Sequence, residues 1–235
     1  MFFKKNKKIV WTNLIDGLIE TPQVHIKTMK EFTPEWFKDL PVHHKKGGNP
    51  LFNTKTVKTC PSFSEVFNEG FVLVSPCDIW IKINDNGTFE WATPNADLTI
   101  EEHPNEQYLN YANVPNAKLV AKLVTRWFCF LPKGYSLRQL PMFYAHDKPP
   151  QYYVPYGTIK ADQSHEINPQ LIIAEGVKEL NIKQGEPLCV YIPFKRSDKL
   201  KLSIEKKTKW MNKIKHNRFW ISGSAWRSNY HKFKN

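Results

Sequence analysis

Cysteine is scarce in this chain and never paired in sequence. Cys60, Cys77, Cys129 and Cys189 lie far apart among 235 residues. With no CxxC present, zinc ribbons and thioredoxin-type redox sites are excluded. Cys129 in WFCFL and Cys189 in PLCVY sit inside apolar segments and read as small buried hydrophobes. No apolar run approaches the roughly 20 residues that a spanning helix needs. The N-terminal MFFKKNKKIVW has lysines but no following apolar stretch and no small-residue cleavage site, so a cytosolic protein without a signal peptide is expected. Internal repeats and low-complexity blocks are also missing.

Complete catalytic and metal signatures are lacking as well. No elbow places a Ser or Cys nucleophile beside His146 and Asp147. A cupin-like iron site wants His-x-His or His-x-Asp on a strand, and both His146–Asp147 and His165–Glu166 lack the intervening residue. His43 and His44 are adjacent, a poor geometry for sharing a metal, and no carboxylate is near. No catalytic residue, metal or cofactor is expected.

Strand grammar is abundant, and it is densest from Gly157 to Arg196. Leu171, Ile172 and Ile173 form an apolar run, and Val177, Leu180 and Ile182 follow at near-strand spacing. Gly185 punctuates a turn in KQGEP. Leu188, Val190, Ile192 and Phe194 then alternate with Cys189, Tyr191 and Pro193, which predicts one face on a core and one facing outward. Earlier strands are predicted at 8–14 and 22–29. The 71–84 segment, the Asp85-Asn86-Gly87 turn and the return through TFEWAT predict a hairpin with Ile79, Ile81 and Ile83 on one face. AKLVAKLVTRWFCF has helix-compatible halves, but its β-branched and aromatic continuation favours a strand pair. Pro132 to Tyr135 reads as a turn, and SLRQLPMFY as extended.

Helices are few and short. TPEWFKDLP predicts one, with Thr33 as N-cap, Pro34 at the first helical position, and Trp36, Phe37 and Leu40 on its buried face. Ser62 and Glu65 suggest a capping box for a second, carrying Phe63, Val66 and Phe67 and ending at Gly70. The predicted fold is mainly β: a single sandwich or barrel spanning residues 1–200, with short helical insertions. A basic, aromatic C-terminal helix and tail follow over residues 201–235.

Net positive charge is concentrated at the end of the chain, from Lys195 onward. Residues 195–235 hold thirteen Lys or Arg against two acids, whereas residues 1–194 hold 21 basic and 20 acidic residues. Within 206–217 Trp210, Met211 and Ile214 fall on one helical side, with lysines such as Lys213 elsewhere. Beyond them Trp220 and Trp226 interleave with Arg218 and Arg227. Three readings compete: stacking on and neutralising a nucleic-acid strand, lying on an anionic membrane surface, or docking on the β-body with lysines solvated.

Taken together, PEWFKDLP, VKTCPSFSEVFNEGFVLVSPCDIWIKI, EEHPNEQ, RWFCFLPKGYSLRQLP, GTIKADQSHEINPQLII, GEPLCVYIPFKR and WRSNYHK give the chain an order of features that resembles an uncharacterised family recurrent in tailed phages of marine bacteria. That resemblance implies placement and not mechanism: a host-cytosolic or virion-associated protein. The missing catalytic constellation, the aromatic content and the cationic tail lead instead to the expectation of a non-catalytic domain that binds or assembles, with a homo-oligomer, a virion protein or a host protein as partner. A more local similarity links Gly157-Thr158-Ile159-Lys160-Ala161-Asp162 and Gly185-Glu186-Pro187-Leu188-Cys189-Val190 to the dUTPase and dCTP-deaminase barrel. Lys160 stands where that family has the Asp that orients water, and a protonated Lys cannot act as a general base near neutral pH. The alternative is a small-molecule or nucleotide binding protein or enzyme on a dUTPase-like or cupin-like barrel, whose site would draw on His103, Gln107, Tyr135, Lys160 and Asp162.

Overall fold

The computed structural model describes residues 7–44, 54–104, 117–142, 150–198 and 201–204. The chain divides into two compact units, residues 1–197 and 198–235. Strand outweighs helix by 43% to 14%, and the antiparallel sheets pack as a β-sandwich in which no barrel closes. The proposed tail helix and its residues Trp210, Lys213, Arg218, Trp220, Trp226 and Arg227 lie outside the described residues, as do Gln107, His146 and Asp147.

The largest sheet has five strands in the order Gly157–Ile159, Tyr135–Pro141, Pro187–Lys195, Phe71–Val74 and Lys27–Thr28. Its edges are only three and two residues long. Pro193 sits in the long central strand opposite Leu137, beyond the point where pairing with Phe71–Val74 ends at Tyr191. A residue without an N–H is tolerated there because no ladder bond is demanded on that side. A four-stranded sheet orders Tyr152–Tyr153, Gln170–Ala174, Ala117–Val124 and Thr99–His103. Two three-stranded sheets extend these, one of Val10–Asn13, Trp127–Phe130 and Glu166–Ile167, the other of Glu179–Ile182, Ile79–Ile83 and Phe89–Ala92.

The smaller sheets are continuations of strands that turn corners. Ala117–Val124 and Trp127–Phe130 are separated only by Thr125 and Arg126, and do not pair with each other as a strand pair would. Between Lys122↔Gln170 and Trp127↔Ile167, four residues oppose two. That surplus is a bulge, which bends a strand and re-aims it. Arg126 takes φ 56°, and among the described residues it is the one non-glycine with positive φ. The backbone groups released by the bulge find partners. Leu123 N donates to Pro169 O, Thr125 Oγ1 to Ile167 O, and Asn13 Nδ2 to Thr125 O. Asn13 and Thr125 are buried because they serve this corner.

A second corner splits the 71–84 segment at Ser75–Asp78, so it forms two strands in two sheets. Ser75 N donates to Glu186 O, and Gly185 N donates back to Ser75 O. Asp78 accepts from Gln184 N and Lys183 Nζ, which together hold its carboxyl below the usual range. The expected hairpin beyond it is present, with Ile79, Ile81 and Ile83 buried and Gly87 supplying the positive φ of its turn.

The core runs through both layers, with Leu73, Ile81, Leu98, Leu123, Leu137, Ile167, Leu171, Ile173 and Tyr191 essentially unexposed. Each such side chain contributes roughly 1.5–3 kcal/mol by leaving water. Cys129 and Cys189 are buried here, and burial pushes both thiols up to about 12. At pH 7 they are uncharged packing groups, as their apolar flanks suggested.

Four local expectations need correction. The helix expected to be capped by Thr33 spans Glu35–Asp39 with Pro34 at its N-cap, while Thr33 closes the preceding 3₁₀ turn. The 22–29 segment is a 3₁₀ turn, Pro22–Val24, followed by the two-residue strand Lys27–Thr28, because Pro22 fixes a turn-like φ. The Ser62–Glu65 capping box does not form. The helix starts a residue earlier, at Pro61, and passes into a 3₁₀ turn at Glu65–Asn68. The capping box that does form joins Thr28 and Glu31, at the 3₁₀ turn Met29–Phe32. Finally, alternation in the last strand predicts one core face and one outward face, yet Cys189 and Tyr191 are buried on one side and Leu188 and Val190 on the other. Only toward Ile192 and Phe194 is the second face less covered, a change that alternation alone cannot show.

Candidate binding face of the five-stranded sheet

The other face of that strand is where the chain leaves apolar surface unfilled. Register places Leu140 opposite Val190, Arg138 opposite Ile192 and Ser136 opposite Phe194, so these six side chains share one side of the sheet. Helical segments cover part of it. Phe37, from helix Glu35–Asp39, packs against Phe67 at 4.9 Å and Phe63 at 5.5 Å, and Trp36 meets Phe63 at 6.0 Å. This aromatic cluster anchors the insertion, with Phe67 buried and Trp36 left 40% exposed. Gly70 brings the insertion tightly onto the sheet. At φ 91° it accepts from Met29 N, and a Cβ there would lie 2.8 Å from Val190 Cγ2.

Cover stops short of the sheet's middle. A groove of about 330 Å³ remains, floored by Leu140, Met142, Val190 and Ile192 and walled by Met29 and Val66. Its rim carries Glu65 and Glu69, and among the described residues neither makes an ion pair. Val66, expected on the buried face of its helix, is 41% exposed at this opening.

At the end of the same strands Arg196 and Asp162 form a clamp. Arg196 Nη1 donates to Asp162 Oδ1 at 2.8 Å and Nη2 to Oδ2 at 2.5 Å, while Gly134 N donates to Oδ2 at 2.9 Å. Nη1 also donates to Tyr135 O and Ser136 Oγ. Arg196, and secondarily the Gly134 amide, hold the Asp162 carboxyl well below its usual range. Both carboxylate oxygens are spent on the protein itself. The clamp ties the 160–164 turn, the 132–135 turn and the last strand together.

Of the five residues expected to line a small-molecule site, the four described do not gather in one place. Tyr135 and Asp162 meet on Arg196, and exposed Lys160 accepts two backbone N–H bonds in the turn leading to Asp162. His103 lies on the edge strand of the other layer, 3.2 Å from Gln170 Nε2. Gln107 is outside the described residues. His165 and Glu166 point apart: the His165 ring stacks on Phe130 at 4.5 Å, while Glu166 faces Arg126. Among the described residues no three His, Cys, Asp or Glu side chains group as a metal site.

Sequence reasoning missed Glu65, Glu69, Arg138 and Phe194. For Arg138 and Phe194 a signal existed in the alternation of two strands, but their neighbour relation needed the register. Glu65 was assigned to a cap instead. No helix among the described residues is long and apolar enough to cross a membrane. The fold and this face define a β-sandwich domain with a half-covered sheet. No protein-family model matches the chain, and no curated protein is significantly similar to it.

Proposed function

We propose that the chain is a non-catalytic, phage-type β-domain for binding or assembly, which grips a protein partner in the groove on its five-stranded sheet. The occupant is a peptide segment presenting an apolar side chain flanked by Lys or Arg. The observation that carries this reading is the apolar floor of Leu140, Met142, Val190 and Ile192 beside Glu65 and Glu69, two carboxylates with no ion-pair partner among the described residues. An apolar anchor in a desolvated pocket supplies affinity, and rim charges of opposite sign supply steering and register. A host-cytosolic or virion-associated location accords with this role.

The test is fluorescence anisotropy with a labelled leucine–lysine peptide, against counterparts in which serine replaces leucine or glutamate replaces lysine. The full chain binds the first and discriminates against both others by at least tenfold. Val66→Trp, which fills the groove from an exposed position, abolishes the discrimination, and Glu65→Lys with Glu69→Lys reverses the charge preference. Equal binding of the three peptides, or binding unchanged in these variants, overturns the reading. A concentration-dependent dimer blocked by Val66→Trp would identify the partner as a second copy.

A further inference from the structure

Sequence assigns the positive charge to the tail and leaves the body almost neutral, but folding collects the body's cations unevenly. Lys7 reaches Tyr135 from the N-terminal segment, with its Nζ 4.7 Å from the ring centroid and 3.0 Å from the hydroxyl. Lys133 is exposed in the turn that Tyr135 N closes onto Pro132 O, with Gly134 at φ 86°. Arg138 is exposed and lies 4.9 Å over the Phe194 ring. Lys160 is exposed at the head of the next turn. Asp162, the carboxylate held among them, is turned inward on Arg196 with a side chain only 6% exposed. It therefore neutralises the buried side of the clamp and leaves the outer lysines uncompensated. Among the described residues Lys133, Arg138 and Lys160 have no ion-pair partner.

Rings are interleaved with these charges. Tyr135 and Phe194 each sit under a cation, and Phe130, on the strand leading into the Lys133 turn, is 41% exposed with His165 stacked on one side. Cations without acid partners bind phosphates and release counterions, and exposed rings offer stacking platforms for unpaired bases. The geometry points to a single-stranded nucleic-acid site on the β-body, at the end of the five-stranded sheet marked by the Arg196–Asp162 clamp. Lys133, Arg138 and Lys160 contact the sugar–phosphate backbone, and Phe130 stacks a base. Arg138 stands opposite Ile192 of the groove floor, so this site adjoins the groove at the end of the strands.

The experiment uses the full chain and a fluorescein-labelled 20-nucleotide oligo(dT), with anisotropy read across a salt series. Wild type binds, and its affinity falls steeply with salt. Lys133→Ala, Arg138→Ala and Lys160→Ala combined weaken binding at least tenfold. They also flatten the log–log salt slope by about 2, since each lost phosphate contact removes roughly 0.7 for a single strand. All three side chains are exposed, so an unchanged thermal melt separates this loss from misfolding. Phe130→Ala weakens oligo(dT) by at least fivefold and leaves a 20-base-pair duplex unaffected. If the triple variant keeps wild-type affinity and slope, the binding belongs to the tail and the inference fails. It fails too if heparin competes equally well and Phe130→Ala has no effect, because the surface then recognises charge alone. Absence of any binding at low salt rejects it outright.

Discussion

Removal of one oxygen, in Tyr191→Phe, tests how the core is wired to the edge strand of the large sheet. Tyr191 is fully buried, and its hydroxyl donates to Gln139 Oε1 at 2.8 Å. Gln139, 8% exposed, passes the link on through Nε2 to Pro155 O at 3.0 Å. Phenylalanine fits the same space and opens no cavity of consequence, so the cost is the desolvated Gln139 oxygen left without a donor, about 1–3 kcal/mol. Gln139→Met strands both the Tyr191 hydroxyl and the Pro155 carbonyl and costs about 2–4 kcal/mol. In the double variant the hydroxyl and the amide disappear together and only Pro155 O is orphaned. Its loss should fall below the sum of the singles by about 1–2 kcal/mol. Urea unfolding measures this directly. In thermal melts each kcal/mol corresponds to a shift of about 2–4 °C for a body of this size. Strict additivity, or a Tyr191→Phe variant within about 0.5 kcal/mol of wild type, would refute the network.

Other outcomes follow from backbone geometry and charge. Gly70→Ala places a methyl 2.8 Å from Val190 Cγ2 at a positive φ, and should cost about 2–4 kcal/mol in denaturant unfolding. Arg126→Gly should be neutral or stabilising by up to about 1 kcal/mol, because φ 56° strains any residue with a Cβ, whereas Arg126→Val should lose about 1–2 kcal/mol. For Asp162 the folded-state pKa lies below the unfolded value near 3.9, so its contribution is complete above about pH 4–5 and disappears as pH falls through the folded value. Asp162→Asn should therefore lower stability at pH 7 and blunt the loss on acidification, as followed by circular dichroism from pH 7 to pH 2.

Much of the β-framework is legible in the residues. Ile79, Ile81 and Ile83 with the Asn86-Gly87 turn specify their hairpin locally, because period and turn chemistry agree. AKLVAKLV could be told from a helix by its aromatic, β-branched continuation. What the chain did not disclose were the corners. A bulge at Thr125–Arg126 and a sheet change at Ser75–Asp78 depend on partners such as Asn13, Asn168 and Glu186 far away in sequence. Burial of Cys189 and Tyr191 was hidden for a related reason, since a strand packed on both sides carries apolar residues at every position. Of the residues named for a small-molecule site, Tyr135 and Asp162 come together on Arg196, a link that only the pairing of the strands shows.

The brevity of the outer strands in the five-stranded sheet governs how copies of this protein can meet. Gly157–Ile159 and Lys27–Thr28 offer an incoming chain almost no run of open amides and carbonyls, and Pro193 has no amide hydrogen to donate where the central strand outlasts its neighbour. Templated strand-by-strand polymerisation along this sheet is thereby disfavoured. Any contact made at this sheet is left to side chains, where a single substitution can switch it off.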